Sequence, residues 1–176
     1  MTILGIKMEP SYRFKVALFG NAAVGKTSLV NMYVNNKFEQ EYLSTLGYNV
    51  LEKIVDIKGT RISFMIFDIG GQEQFRELRK QYAKGANAAL LVYDITNRES
   101  FDNMRKWYDD LMEFTDGARF IIVGNKVDLI EMKQVSTEEG ENLAFELLAD
   151  GFFETSAKEN IEIDNAFTKF AQALIE

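Results

Sequence analysis

Apolar positions along the chain switch between two periods, and each switch marks an element. Phe14 to Phe19 is a β-rich run that stops at Gly20, as a strand entering a turn does. From Lys26 to about Asn36, residues Leu29, Val30, Tyr33 and Val34 share one helical face. Phe38 to Gly47 has neither period and reads as a loop. Two strands follow, about Tyr48 to Ile57 and Arg61 to Phe67, bracketing Lys58-Gly59 as a hairpin turn. After Gly70-Gly71 a polar helical stretch runs to about Tyr82. Ala88 to Tyr93 is continuously apolar, the mark of a parallel strand covered on both faces. Asn97 to about Phe114 reads as one long helix, and Phe120 to Val123 as another buried strand. Ser136 to Leu148 is a helix opened by a capping box, Ser136 with Glu139 three residues on. Phe152-Phe153 begin a short last strand. Ile161 to Ile175 closes the chain as an amphipathic helix with Ile163, Phe167, Phe170, Ala171 and Leu174 on its apolar side.

This alternation predicts an α/β three-layer sandwich: a six-stranded, mostly parallel sheet, one antiparallel edge strand from the hairpin, and about five helices. Pro10 suggests a loose leader over residues 1–11, leaving 12–176 as a single domain. In such folds ligands bind beyond the carboxyl ends of the strands. The functional residues should therefore follow Phe19, Phe67, Val123 and the last strand, and a polar or glycine-rich cluster stands at each place.

Composition narrows the chemistry. The 176 residues contain no Cys and no His. Disulfides, thiolate catalysis, His-based triads and Cys/His metal sites are thereby excluded. The formal net charge of −7 argues against bulk nucleic-acid binding, which needs many cationic phosphate contacts. It leaves room for one phosphate-bearing ligand, because a local nest of amides outweighs a distant charge excess. No apolar stretch approaches the ~18 residues of a spanning helix, and Lys7 and Glu9 make the N-terminus a poor signal peptide. A cytoplasmic chain is expected.

Gly20-Asn21-Ala22-Ala23-Val24-Gly25-Lys26-Thr27 matches the phosphate-loop pattern GxxxxGK[ST] and lies between a strand and a helix, the context it requires. Its amides, with Ser28, would cradle phosphates at a helix N-terminus. Lys26 would bring charge to the β- and γ-phosphates, and the Thr27 hydroxyl would ligate Mg²⁺. Asp68, before Ile69-Gly70-Gly71-Gln72, is placed to hold Mg²⁺ through water, with a Gly71 amide for the γ-phosphate and Gln72 to orient a water. Asn125-Lys126-Val127-Asp128 offers a carboxylate that can accept from two N–H groups of guanine. Thr155-Ser156-Ala157-Lys158 is weak alone. Taken singly, the Asp68 cluster is also explained as a glycine turn with a capping Asp, and the Asn125 cluster as a solvated turn.

In this order and spacing the four clusters resemble the nucleotide-binding motifs of Ras-superfamily small GTPases, from about Tyr12 to Glu176. The Rab branch is the most similar, on Ser44-Thr45-Leu46-Gly47, Gly71-Gln72-Glu73-Gln74-Phe75-Arg76, Leu91-Val92-Tyr93-Asp94-Ile95-Thr96 and Ser100-Phe101-Asp102-Asn103. The resemblance implies a P-loop NTPase fold and a GTP-binding switch that hydrolyses GTP slowly, in signalling or vesicle trafficking. It places Thr45 as the first-switch Mg²⁺ ligand of the GTP state, Tyr42 over the phosphates and Phe38 against guanine. It gives Asn125, Lys126 and Asp128 to guanine reading, and the Ala157 amide to the guanine oxygen with Ser156 and Lys158 in support. Gln72 and Lys26 are the implied catalytic residues. Effectors, an exchange factor and an activating protein are expected on residues 38–50 and 68–82, through apolar groups such as Leu46, Phe67 and Tyr82. A monomer without nucleic-acid partners is expected.

The chain departs from the pattern in three ways. Ala22-Ala23 stands where glycine is common, adding methyls near the γ-phosphate. Ile69-Gly70 replaces the usual Thr-Ala, giving an Arf-like double glycine that should loosen the second switch. With no Cys and with Thr2 in place of Gly, this chain encodes no lipid anchor. The alternative reading is a nucleotide-dependent binding module with negligible hydrolysis, motivated by Ala22-Ala23 and Ile69-Gly70 and opposed by Gln72.

Overall fold

The computed structural model describes residues 9–40 and 44–176. Six strands form one sheet in the order β2-β3-β1-β4-β5-β6. They are β1 (Tyr12–Phe19), β2 (Tyr48–Ile57), β3 (Thr60–Ile69), β4 (Ala88–Asp94), β5 (Arg119–Asn125) and β6 (Phe152–Thr155). The β2–β3 pair is antiparallel and the other described pairs are parallel, as the alternation predicts. Lys58 (φ 49°) and Gly59 (φ 81°) both take the left-handed turn geometry that matches strand twist in a two-residue hairpin.

Six α-helices are described: α1 (Lys26–Asn35), α2 (Arg76–Ala83), α3 (Arg98–Asp102), α4 (Met104–Phe114), α5 (Thr137–Glu146) and α6 (Ile163–Ile175). The stretch expected as one helix from Asn97 is thus two. Asn97 caps α3 by accepting from the Ser100 amide, and the chain turns at Asn103 before α4 begins. The last helix starts two residues later than its periodicity suggests. Ser156 and Ile161 form an isolated antiparallel bridge, and Glu162 sits at φ 60°, so neither Ile161 nor Glu162 is free to be helical. The capping box at Ser136 and Glu139 is present in full.

Strand alternation sorts the core into two layers. Val16 and Leu18 of β1 join Leu90, Val92, Ile121 and Val123 beneath α1 and α6. Ala17 and Phe19 join Leu91, Tyr93, Phe120 and Ile122 beneath α2, α4 and α5. Phe167 of α6 stacks on Tyr33 of α1 with ring centroids 3.8 Å apart. Burying one such side chain is worth about 2–3 kcal/mol. Among the described residues no helix is long and apolar enough to cross a membrane.

Candidate functional site

Every parallel strand delivers its chain to the same edge, and there a cleft of about 380 Å³ opens among the loops that follow β1, β3, β5 and β6. The loop after β1 sets its floor. Gly20 (φ 150°) lies so close to β4 that a Cβ there would meet Val92 O at 2.2 Å. Ala23 (φ 66°) and Gly25 (φ 95°) take left-handed backbone, which turns successive amides inward as a nest at the start of α1. For Ala23 this conformation costs about 1 kcal/mol.

Lys26 is buried, and its Nζ donates to Gly20 O and Asn21 O, both at 2.7 Å. One of its three hydrogens is left for a ligand. Burial lowers its pKa to about 8, opposed by Asp68 and reinforced by the charge of Arg79. The Thr27 hydroxyl donates to Asp68 Oδ2 at 2.6 Å and shares a hydrogen bond with Thr45 Oγ1 at 2.7 Å. Asp68 Oδ1 is buried without a hydrogen bond among the described residues. Burial raises the Asp68 carboxyl, while Thr27 and Lys26 pull it back. Two hydroxyls around a carboxylate with a spare oxygen are a hard-oxygen donor set that fits Mg²⁺. Among the described residues no group of three acidic side chains offers a metal site, so a cation here would rely on those hydroxyls.

Gly71 packs on the phosphate loop, where a Cβ would meet Gly20 O at 2.5 Å and Ala22 N at 2.6 Å. Only glycine fits so close a backbone approach. At Gly70 a Cβ would meet Phe75 Cδ2 at 2.6 Å and Thr45 O at 2.7 Å, so this glycine serves the close approach of the two loops. Gln72 lines the cleft, and its buried Oε1 makes no hydrogen bond among the described residues.

At the opposite end Asn125 is a brace. Its Nδ2 donates to Val24 O at 3.1 Å, and its Oδ1 accepts from Thr155 Oγ1 at 3.1 Å and from the Ala157 amide at 3.3 Å. Lys126 Nζ donates to Ala23 O at 2.8 Å and pairs with Asp94 at 2.8 Å, holding the strained Ala23 peptide. Ser156 Oγ donates to Asp128 Oδ1 at 2.7 Å, which orients that carboxylate and leaves its other oxygen.

Of the residues expected from sequence, Ala22, Ala23, Gly25, Lys26, Thr27, Ser28, Phe38, Thr45, Gly71, Gln72, Asn125, Lys126, Asp128, Ala157 and Lys158 line this cleft. Asn21, Val24 and Ser156 do not line it. Asn21 Oδ1 is turned away and accepts from Trp107 Nε1 at 2.7 Å. Val24 is buried in the core, because its position in the loop faces the sheet. Ser156 is buried against Asp128. Any direct part these three play is through backbone. Asp68 lies beneath the cleft, behind Thr27. Tyr42 lies outside the described residues. Phe38 both lines the cleft and packs on the core. Leu46 is 82% exposed, while Phe67 and Tyr82 are half-buried with Tyr48, whose ring is 4.2 Å from that of Tyr82.

Sequence reasoning missed Arg79. Its Nη1 donates to Gly70 O at 3.0 Å and to Gln72 O at 2.7 Å. The signal was a cation at the spacing Phe75, Arg79, Ala83, which is the inward stripe of a helix.

Such a sheet, with a phosphate loop after its first strand, defines a P-loop nucleotide-binding domain. The Ras family profile matches residues 15–176. The chain is 35% identical over 164 residues to Ras-related protein Rab-15 of Mus musculus, covering 93% of this chain and 77% of that protein. It is 40% identical over 166 residues to Ras-related protein Rab-3B of Homo sapiens, covering 94% and 75%. The chain belongs to the Ras family: it is a Rab-like small GTPase, a hydrolase acting on GTP.

Proposed function

We propose that this chain is a switch keyed to the terminal phosphate of GTP, and that it hydrolyses GTP slowly. One observation supports the reading most. Thr45, from the loop after α1, meets Thr27 of the phosphate loop at 2.7 Å, beside Asp68.

In this reading the amides of residues 21–28 take the phosphates. Asp128 accepts from guanine, Phe38 packs against the base, and the Ala157 amide, with Lys158 near, faces the guanine oxygen. Thr27, Thr45 and, through water, Asp68 would hold Mg²⁺, which neutralises phosphate charge when bound. The Gln72 amide orients the attacking water, placing it in line with the terminal phosphorus. The new P–O bond forms as the bond to the β-phosphate oxygen breaks, giving GDP and phosphate. Lys26 and the Gly71 amide stabilise the charge that moves onto the oxygens. When the phosphate leaves, Thr45 and Gly71 lose a partner and residues 38–50 and 68–82 relax, which changes the surface offered to effectors and regulators.

Among the described residues of the loop 38–47 no arginine is present to add a cationic finger. The intrinsic rate should thus be on the order of 10⁻⁴ s⁻¹. The test is single-turnover hydrolysis followed by chromatography of the nucleotide released. Slow decay that Gln72→Leu suppresses at least tenfold supports the switch. Ala22, whose amide lies against Gly71, motivates a second reading, because its methyl adds bulk where the attacking water would enter. GTP that stays bound and never decays would establish that reading, a binding module.

A further inference from the structure

Arg79 is among the largest fully buried side chains, 1% exposed, and the hydrolysis scheme above gives it no part. A buried cation persists only where its partners over-determine its place. Its Nη1 bridges Gly70 O and Gln72 O, the two carbonyls that flank Gly71. Its guanidinium lies over Trp107 of α4, 4.9 Å from the ring centroid. Trp107 Nε1 in turn donates to Asn21 Oδ1 in the phosphate loop at 2.7 Å. The contacts form a closed circuit: phosphate loop, Trp107, Arg79, the Gly70–Gln72 peptides, and back through the Gly71 approach to Ala22.

We propose that Arg79 is a positioning residue for GTP hydrolysis, a clamp that sets the Gly71 amide and Gln72 toward the terminal phosphate and passes the state of that clamp to Trp107. The proposal rests on the switch reading above. The clamp does not depend on a full ion pair. Arg79 Nε and Nη2 make no hydrogen bond among the described residues, and the nearby Asp110 of α4 is engaged by Arg76 at 3.5 Å. Arg79 and Lys26 are two buried cations close enough for the charge of one to be felt by the other. An anion in the cleft at Lys26 and the Gly71 amide would offset that mutual repulsion and stabilise the closed arrangement, and its loss would weaken it. A guanidinium suits this work because its planar fork can donate and stack at once.

Trp107 is the only tryptophan in the chain, so its emission reads the clamp directly. In the wild-type protein, replacing GDP by a non-hydrolysable GTP analogue should shift or quench that emission. Arg79→Met should abolish the change, slow single-turnover hydrolysis at least tenfold and leave GDP affinity within about twofold. Arg79→Lys should recover part of the rate, since one nitrogen can still donate to both carbonyls. Trp107→Phe keeps the ring and removes the donor to Asn21. It should slow hydrolysis several-fold at constant GDP affinity, and it carries the kinetic test if Arg79→Met does not fold. Emission identical in both nucleotide states, or hydrolysis and GDP affinity falling in equal proportion, would overturn the clamp. A wild-type protein that binds no guanine nucleotide would instead overturn the switch reading itself.

Discussion

Where β5 and β6 reach the cleft, side chains tie separate segments together: Asn125 donates to Val24 O and Lys126 to Ala23 O, and Asn125 Oδ1 accepts from the Thr155 hydroxyl and the Ala157 amide. Where the loops after α1 and β3 meet, the described contacts are of another kind: the Thr27 hydroxyl between Thr45 Oγ1 and Asp68 Oδ2, the Gly70 amide on Gly47 O at 3.2 Å, and the Arg79 bridge. The first end is wired together around the buried side chain of Asn125, whose bonds are costly to separate. The second is joined by hydroxyl and backbone contacts that a ligand can strengthen or release. In the proposed switch one end recognises and the other responds, as stability that is not uniform across a fold allows.

The largest effect expected from breaking this contrast lies at the wired end. Asp128→Asn removes the acceptor proposed for two N–H groups of guanine, so GTP affinity should fall on the order of 10³-fold and a xanthine nucleotide should be preferred. Competition binding with both nucleotides checks this, and unchanged GTP affinity would remove Asp128 from base recognition.

A smaller and selective effect belongs to the responsive end. Thr45→Ala should weaken binding of the GTP analogue about tenfold, roughly the worth of one well-placed polar contact. GDP affinity should be untouched. Titration of each nucleotide separates the two, and equal losses would mean that Thr45 does not sense the third phosphate.

The smallest effect sharpens the comparison with pH. Behind the wired end, Glu139 caps α5 and pairs with Arg98, which also bonds Gln134 O. The Arg98 hydrogen bond, then the Ser136 amide, hold its carboxyl down from 4.5 to about 2. A depressed carboxylate stabilises the fold above its unfolded value and loses that contribution as pH falls through the folded one. Wild type should therefore melt higher than Glu139→Gln near pH 6, and the gap should close between about pH 4.5 and 2. A gap that persists at the acid limit would show that the charge is not what Glu139 contributes.

The wired end was more legible in sequence than the responsive one, for a physical reason. Phosphate loop, Asn125-Lys126-Val127-Asp128 and capping box are contiguous, and each residue's task is local to its motif. Even there, the bracing bonds of Asn125 were not legible, because its partners Val24 and Thr155 are distant in sequence. The responsive end depends on juxtapositions that no local pattern encodes. Arg79 meets Gly70 and Gln72 only once α2 is laid against α4, and Asn21 turns to Trp107 across 86 residues of sequence. The mostly parallel sheet with one antiparallel edge strand followed from alternation, whereas the break at Asn103 was masked by apolar spacing that continues through both α3 and α4.

The most direct test of this division is amide hydrogen exchange on the protein loaded with GDP and with a non-hydrolysable GTP analogue. The account predicts that residues 44–50 and 70–83 gain at least about tenfold protection with the analogue, while 120–128 and 152–158 change by less than about twofold. Equal changes at both ends, or a larger change at β5 and β6, would contradict it.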